Sequence, residues 1–163
     1  MRRVDREVTS RDKIREILEK TYVMRIAFFD DLYPYLIPLN FAFVISPDNF
    51  FRFYFHAATE GRKLALLKEN NRVAFEADIF YQFIGAESEI PCQMSVSYES
   101  VTGYGRMKIV EMDDERNYGM EQLVNRFSTA AQREALNAET FARTLVLRLD
   151  VESITGKRHV VNE

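Results

Sequence analysis

The sequence is short of the residues that staple or ligate. One cysteine, Cys92, stands among 163 residues, which excludes an internal disulfide framework and a multi-cysteine zinc site. The two histidines, His56 and His159, lie far apart in the chain and form no metal-ligand motif, so no metal is expected. Tryptophan is absent. No run of about 18 apolar residues occurs, so no membrane span is expected. The opening Met-Arg-Arg-Val-Asp-Arg-Glu has no apolar stretch behind its positive charge, unlike a secretory signal. An excess of positive charge is missing too. The 22 basic and 25 acidic residues leave −3, with no general drive towards nucleic acid or anionic lipid. The expectation is a soluble cytoplasmic protein.

Aromatics are plentiful instead. There are 13 Phe and 8 Tyr, many of them between Tyr22 and Phe83. With 47% apolar and 29% charged residues, intrinsic disorder is excluded. At roughly 150 residues per domain, the length predicts one domain with a sizeable core.

Local patterns place the elements. Thr9 or Ser10 is a helix N-cap, and Ile14, Ile17 and Leu18 follow as one apolar stripe. Strands are predicted over 22–29, 35–45, 50–56, 72–78, 93–110 and 144–151. Pro38 is awkward inside the second, because proline donates no ladder hydrogen bond; it implies an edge, a bulge, or backbone facing something other than a strand. Ser46-Pro47-Asp48-Asn49 is a turn between hairpin strands. Short helices are predicted over 62–69 and near 138–142. A longer one follows Asp113-Asp114-Glu115, with Met120, Leu123, Val124 and Phe127 as its stripe. Phe80 to Gln93 reads as a loop. In the strand after it, Met94, Val96 and Tyr98 alternate with Ser95, Ser97 and Glu99. Gly103 and Gly105 mark a bulge or a close approach by a ligand. Hairpins outnumber helical crossovers. The predicted fold is therefore mainly β (α+β), a six-stranded antiparallel β-barrel with peripheral helices, which the family resemblance given below makes a split β-barrel.

The richest stretch runs from Phe55-His56-Ala57-Ala58 to Gly61-Arg62-Lys63-Leu64. A strand ends, a loop of small residues follows, and a helix opens on Gly-Arg-Lys. Free amides and the helix dipole favour an anion there, with Arg62 as a bidentate donor and Lys63 as a point charge. A solvated helix start with two basic residues fits the same residues. The loop is not a Walker A sequence. His56 at a strand end is more often structural. Cys92 has no histidine near it in sequence, and the reading is a partly buried thiol. Glu76, Asp78, Glu87 and Glu89 form no oriented pair and read as solvated surface. The run Phe50-Phe51-Arg52-Phe53-Tyr54-Phe55 could stack on bases, but the acidic balance argues for barrel core.

Taken in order, these segments resemble a known family. They are Arg2-Arg3-Val4-Asp5-Arg6-Glu7, Pro34-Tyr35-Leu36-Ile37-Pro38-Leu39-Asn40-Phe41, and Phe55-His56 through Gly61-Arg62-Lys63-Leu64 into Asn70-Asn71-Arg72-Val73-Ala74-Phe75-Glu76. Then come Tyr98-Glu99-Ser100-Val101 with Gly105-Arg106, and Thr155-Gly156-Lys157-Arg158. The chain resembles the flavin-binding split-barrel superfamily of pyridoxamine 5′-phosphate oxidase, within it the nitroimidazole-resistance group. The resemblance implies a homodimer with two FMN sites at the subunit interface. It implies an oxidoreductase that reduces a small organic acceptor such as a nitroimidazole, with NAD(P)H as the donor. The backbone of Pro38, Leu39, Asn40 and Phe41 would pass the isoalloxazine edge. His56, Ala57, Gly61, Arg62 and Lys63 would hold the phosphate, with His56 also the candidate catalytic residue. Ser100 stands where the oxidase has a flavin-contacting glutamine. The oxidase's C-terminal Trp and Arg arrangement has no counterpart, so the resemblance does not extend to its substrate. Related split barrels bind haem or a deazaflavin, which makes a non-catalytic flavin- or haem-binding module the alternative.

Overall fold

The computed structural model describes residues 3–48, 50–85, 90–129, 132–133 and 144–160. The strands are β1 (Glu7–Val8), β2 (Val23–Phe28), β3 (Tyr35–Asn40), β4 (Ala42–Ile45), β5 (Phe51–Ala57), β6 (Arg72–Ile84), β7 (Ser95–Ile109) and β8 (Leu145–His159). The helices are α1 (Arg11–Lys20), α2 (Arg62–Glu69) and α3 (Asp113–Phe127). Every ladder is antiparallel, in the order β3-β2-β6-β7-β8-β5-β4 with β1 on β8. The chain thus adopts the mainly-β split-barrel class with peripheral helices. Eight strands are found among the described residues rather than six. β1 is too short to show a pattern, and the stretch 35–45 is two strands broken at Phe41. The helix expected near 138–142, and Glu87 and Glu89, lie outside the described residues.

The break at Phe41 shapes the barrel. β3 and β4 are the two ends of the sheet, yet a single residue joins them. The sheet therefore rolls until its edges lie side by side. No ladder joins those edges among the described residues, so the barrel is split. Phe41 is fully buried at this corner, edge-on to Phe53 at 5.6 Å. Pro38 sits opposite Arg25 on the edge strand, the place in a sheet where a missing N–H is tolerated.

Aromatic and branched side chains fill the interior. Phe28, Phe53 and Phe55 from the strands pack with Ile14, Ile17 and Leu18, the stripe that α1 lays into the barrel. Ser10 is the N-cap residue of α1, as expected, though its side chain makes no capping bond. A second cluster forms under α3, where Met120 and Leu123 meet Tyr54 and Val146.

Three expectations about the long strands change. β6 runs on to Ile84 because Phe80 to Ile84 finds ladder partners on β7, so the loop signals act only from Gly85 (φ 72°) onward. β8 continues past Val151 to His159, pairing with β7 and β1. The alternation of β7 is correct in period, but Ser97, Glu99 and Val101 are the buried set, whereas Met94 is exposed. A polar face turns inward there because three groups converge on the Glu99 carboxylate: Lys20, Tyr81 and Arg158.

The close approach at Gly103 and Gly105 is made by protein. A Cβ at Gly103 would stand 2.2 Å from the Ser153 carbonyl oxygen and 2.4 Å from the Phe75 ring. One at Gly105 would stand 2.1 Å from the Asp150 carbonyl oxygen. The β7–β8 register shifts between Tyr104 and Gly105, which is the expected bulge.

Candidate functional site

The site is built where β5 hands over to α2. Phe55 and Ala57 anchor the strand end in the core, and His56 between them points outward, exposed. Gly61 precedes α2 with φ 129° and ψ 167°, backbone that side-chain-bearing residues rarely adopt. Nothing lies within 4 Å of where its Cβ would stand, so glycine serves the backbone here rather than a tight contact. Among the described residues no side chain caps α2. The Leu64 amide donates to the Gly61 carbonyl at 3.0 Å, whereas the amides of Arg62 and Lys63 have no acceptor within the helix and lie at its positive dipole end.

Arg62 is held from two sides. Its Nη2 donates to Asp30 Oδ2 in the β2–β3 turn, and its guanidinium lies 5.0 Å over the Tyr35 ring. The Asp30 side chain is 16% exposed against 63% for Arg62, so the carboxylate is sunk in the protein while the cation stands proud. Asp30 also lines a cavity of about 160 Å³ with Ala27, Phe28, Phe29, Pro34 and Ala74. A larger groove of about 720 Å³ lies at the other end of α2, beside Lys68 and Lys108, and holds none of the expected site residues.

The other expected contacts fall on β3 and β7. Pro38 and Asn40 face outward, Leu39 is half-buried against the core, and Phe41 is sealed inside. Phe41 can offer a ligand its backbone but not its ring. Ala57 is likewise buried. Ser100 pairs with Asp78 and Lys157, on the face of the sheet that carries Glu76 and Arg25. It lies three strands from Pro38, roughly 14 Å at normal ladder spacing. The fold thus brings Arg62 to the β2–β3 turn, and leaves Ser100 well away from Pro38 within one chain.

Sequence reasoning misses three residues. Asp30 and Tyr35 orient Arg62 but read in sequence as a turn and a strand start. Arg25 is the third: its Nη1 donates to Glu76 Oε2 at 2.9 Å and to Asp78 Oδ1 at 2.5 Å. Arg25 therefore orients Glu76 and Asp78 as a pair, on a surface that stays partly solvated as expected. Partial burial, and the neighbouring Asp78 charge, raise the Glu76 carboxyl above its ordinary range despite the Arg25 bond. Only the ladder register shows this, because Arg25 lies opposite Glu76 across β2 and β6. Cys92 is exposed, not partly buried, in a single 3-10 turn at Pro91–Gln93.

An antiparallel split barrel with a basic, uncapped helix start beside its edge strand defines the class. The particular family follows from the sequence: residues 10–158 match the pyridoxamine 5′-phosphate oxidase family, and the chain belongs to it. No curated protein matches. Among solved structures the chain is similar to a candidate 5-nitroimidazole antibiotic resistance protein of Bacteroides thetaiotaomicron, at TM-score 0.74 and 20% identity over 93% of this chain and 85% of that one. It is similar to a FAD and heme binding protein of Mycobacterium smegmatis, at TM-score 0.79 and 22% identity over 97% and 76%. It is also similar to a FAD-binding protein of Mesorhizobium loti, at TM-score 0.67 and 19% identity over 94% and 97%. At these identities the likeness is one of fold. Among the described residues no helix is long and apolar enough to cross a membrane.

Proposed function

We propose that the protein is a cytoplasmic flavin-dependent oxidoreductase that binds FMN and reduces a small organic acceptor such as a nitroimidazole, with NAD(P)H as donor. One observation carries the reading: Gly61-Arg62-Lys63 opens α2 without a cap, beside the exposed edge strand β3. The residues fit a phosphate-terminated cofactor. Arg62 and Lys63 would neutralise the phosphate, and the α2 amides would donate to it. Among the described residues the outer edge of β3 has no strand partner, and its backbone groups can bond the rim of a heterocycle at Pro38 to Phe41. Bound flavin supplies the two-electron chemistry; the chain supplies position and charge. His56, exposed at the end of β5, would border this region. A second copy of the chain would complete the cleft, bringing its own Ser100 face within reach and covering Phe29, Leu32, Tyr33 and Leu36, all large and exposed.

The visible spectrum and the mass of the extracted cofactor test the reading. Flavin absorbance with the mass of FMN is expected, and its loss in the double variant Arg62→Ala, Lys63→Ala. A colourless protein that takes up no FMN on reconstitution overturns it. The likeness to a FAD and heme binding protein favours a second reading, a non-catalytic carrier of flavin or haem. Stopped-flow reduction by NADH or NADPH, then an acceptor screen, separates the two, because a passive carrier does not turn over.

A further inference from the structure

The contacts of Arg62 point to a specific role for a residue outside the basic motif. We propose that Asp30 is the positioning residue of the phosphate subsite, holding the Arg62 guanidinium with its free donors turned towards the ligand. The inference rests on the flavin-phosphate reading above and names what makes that subsite work.

The chain of contacts runs outward from the β2–β3 turn. The Asp31 backbone amide donates to Asp30 Oδ1 at 3.0 Å, which fixes the carboxylate plane. Asp30 Oδ2 then takes Nη2 of Arg62. The Tyr35 ring covers one face of the guanidinium. A guanidinium has five N–H donors, and Asp30 takes one N–H of Nη2, so the second N–H of Nη2 remains with its neighbouring donor as a fork for a bidentate acceptor.

Asp30 could instead compete with phosphate for the same cation, and burial decides between the roles. The Asp30 side chain is largely sunk in the protein and Arg62 is largely exposed. With Arg62 in place Asp30 is mostly covered, and withdrawing the cation would give up both the charge-assisted bond and the Tyr35 contact. Arg62 therefore stays on Asp30, and a phosphate meets an arginine already ordered. The ordering of a long, flexible side chain is complete before the ligand arrives.

Flavin affinity measured with and without the phosphate tests this. FMN and riboflavin share the ring and ribityl chain, so a general disturbance of the fold weakens both. The readout is the dissociation constant of each from fluorescence quenching, for wild type, Asp30→Asn and Asp30→Glu. Asp30→Asn is expected to weaken FMN about tenfold, leave riboflavin within twofold, and be largely rescued by Asp30→Glu. Unchanged or tighter FMN binding overturns the positioning role, the tighter result marking Asp30 as a competitor. An equal loss for both flavins also overturns it and makes Asp30 structural. If wild-type protein binds FMN no better than riboflavin, the phosphate assignment itself has failed, which these variants do not mimic.

Discussion

Lys20 at the end of α1 and Glu99 in the middle of β7 meet at 3.1 Å, joining a helix to the inward face of the barrel wall. Glu99 is 4% exposed. Burial alone would raise its carboxyl, but hydrogen bonds from Tyr81 and Lys20 and the charges of Lys20 and Arg158 outweigh it and hold the group below its ordinary range. A depressed carboxyl stabilises the folded state at pH above its unfolded value, and that stability is lost as pH falls through the folded value. Glu99→Gln should therefore cost about 1–3 kcal/mol at pH 7, the scale of a buried charged hydrogen-bond partner removed. The deficit should shrink as pH falls below about 4, where the unfolded chain takes up a proton before the folded Glu99 does. Urea denaturation at pH 7 and pH 3.5 checks it; a deficit equal at both pH values would assign the loss to packing.

The Arg25 network predicts the opposite sign. Glu76 is raised, chiefly by burial and then by Asp78 despite the Arg25 bond, so its ionised form is mildly disfavoured in the fold. A raised carboxyl contributes stability that is present at pH below its unfolded value and lost as pH rises through the folded one. Glu76→Gln keeps an acceptor for Arg25 and removes the charge facing Asp78. It should leave stability at pH 7 unchanged or increase it by up to about 0.5 kcal/mol, since these groups are partly exposed. The gain should vanish below about pH 4. A clear loss at pH 7 in thermal melts would show that both carboxylates are needed on Arg25.

These networks also show what one chain of letters reveals. The α1 stripe, the Ser46–Asp48 turn and the basic start of α2 are legible because each depends on neighbours within a turn or two. The extension of β6 to Ile84, the break at Phe41 and the burial of Glu99 are not legible, because each depends on which strand lies alongside. The same holds for the site. Gly61-Arg62-Lys63 is a local signal, whereas Asp30 reaches Arg62 only after β2, β3 and β5 have packed. Pro38 is the intermediate case: its chemistry announces an edge, but only the topology shows that this edge is an end of the sheet.

Arg126 closes the carboxyl end of α1. Its Nη2 donates to the Leu18 carbonyl at 2.5 Å and to the Thr21 carbonyl, and its guanidinium lies 4.7 Å from the Phe41 ring centre and 5.3 Å from that of Phe43. Burial lowers its pKa, but the helix-end carbonyls and aromatic faces hold the cation. Arg126→Met keeps the stem and removes the donors. It should cost about 2 kcal/mol, or roughly 4–8 °C in Tm for a chain of this size. Arg126→Lys should recover only part, because one ammonium cannot both span two carbonyls and stack flat on Phe41. Equal stability of the Met and Lys variants would show that the carbonyl contacts contribute nothing.

Gly103 and Gly61 are both glycines for which alanine is costly, for different reasons. At Gly103 an added Cβ would collide with the Ser153 carbonyl oxygen, which is ladder backbone and has no room to retreat. Gly103→Ala should cost more than about 3 kcal/mol, or prevent folding, because the β7–β8 ladder must part to admit it. At Gly61 the space is open and only the positive φ opposes a side chain. Gly61→Ala should cost about 1–3 kcal/mol, the range of an isolated backbone strain. The two also differ in what they touch. Gly61 lies in the phosphate loop, so relaxing its backbone should weaken FMN more than riboflavin, whereas any folded fraction of Gly103→Ala should keep the wild-type preference. Chemical denaturation with both flavin affinities separates the cases. A Gly61→Ala variant with wild-type FMN binding would show that the loop's conformation is not what presents Arg62 and Lys63.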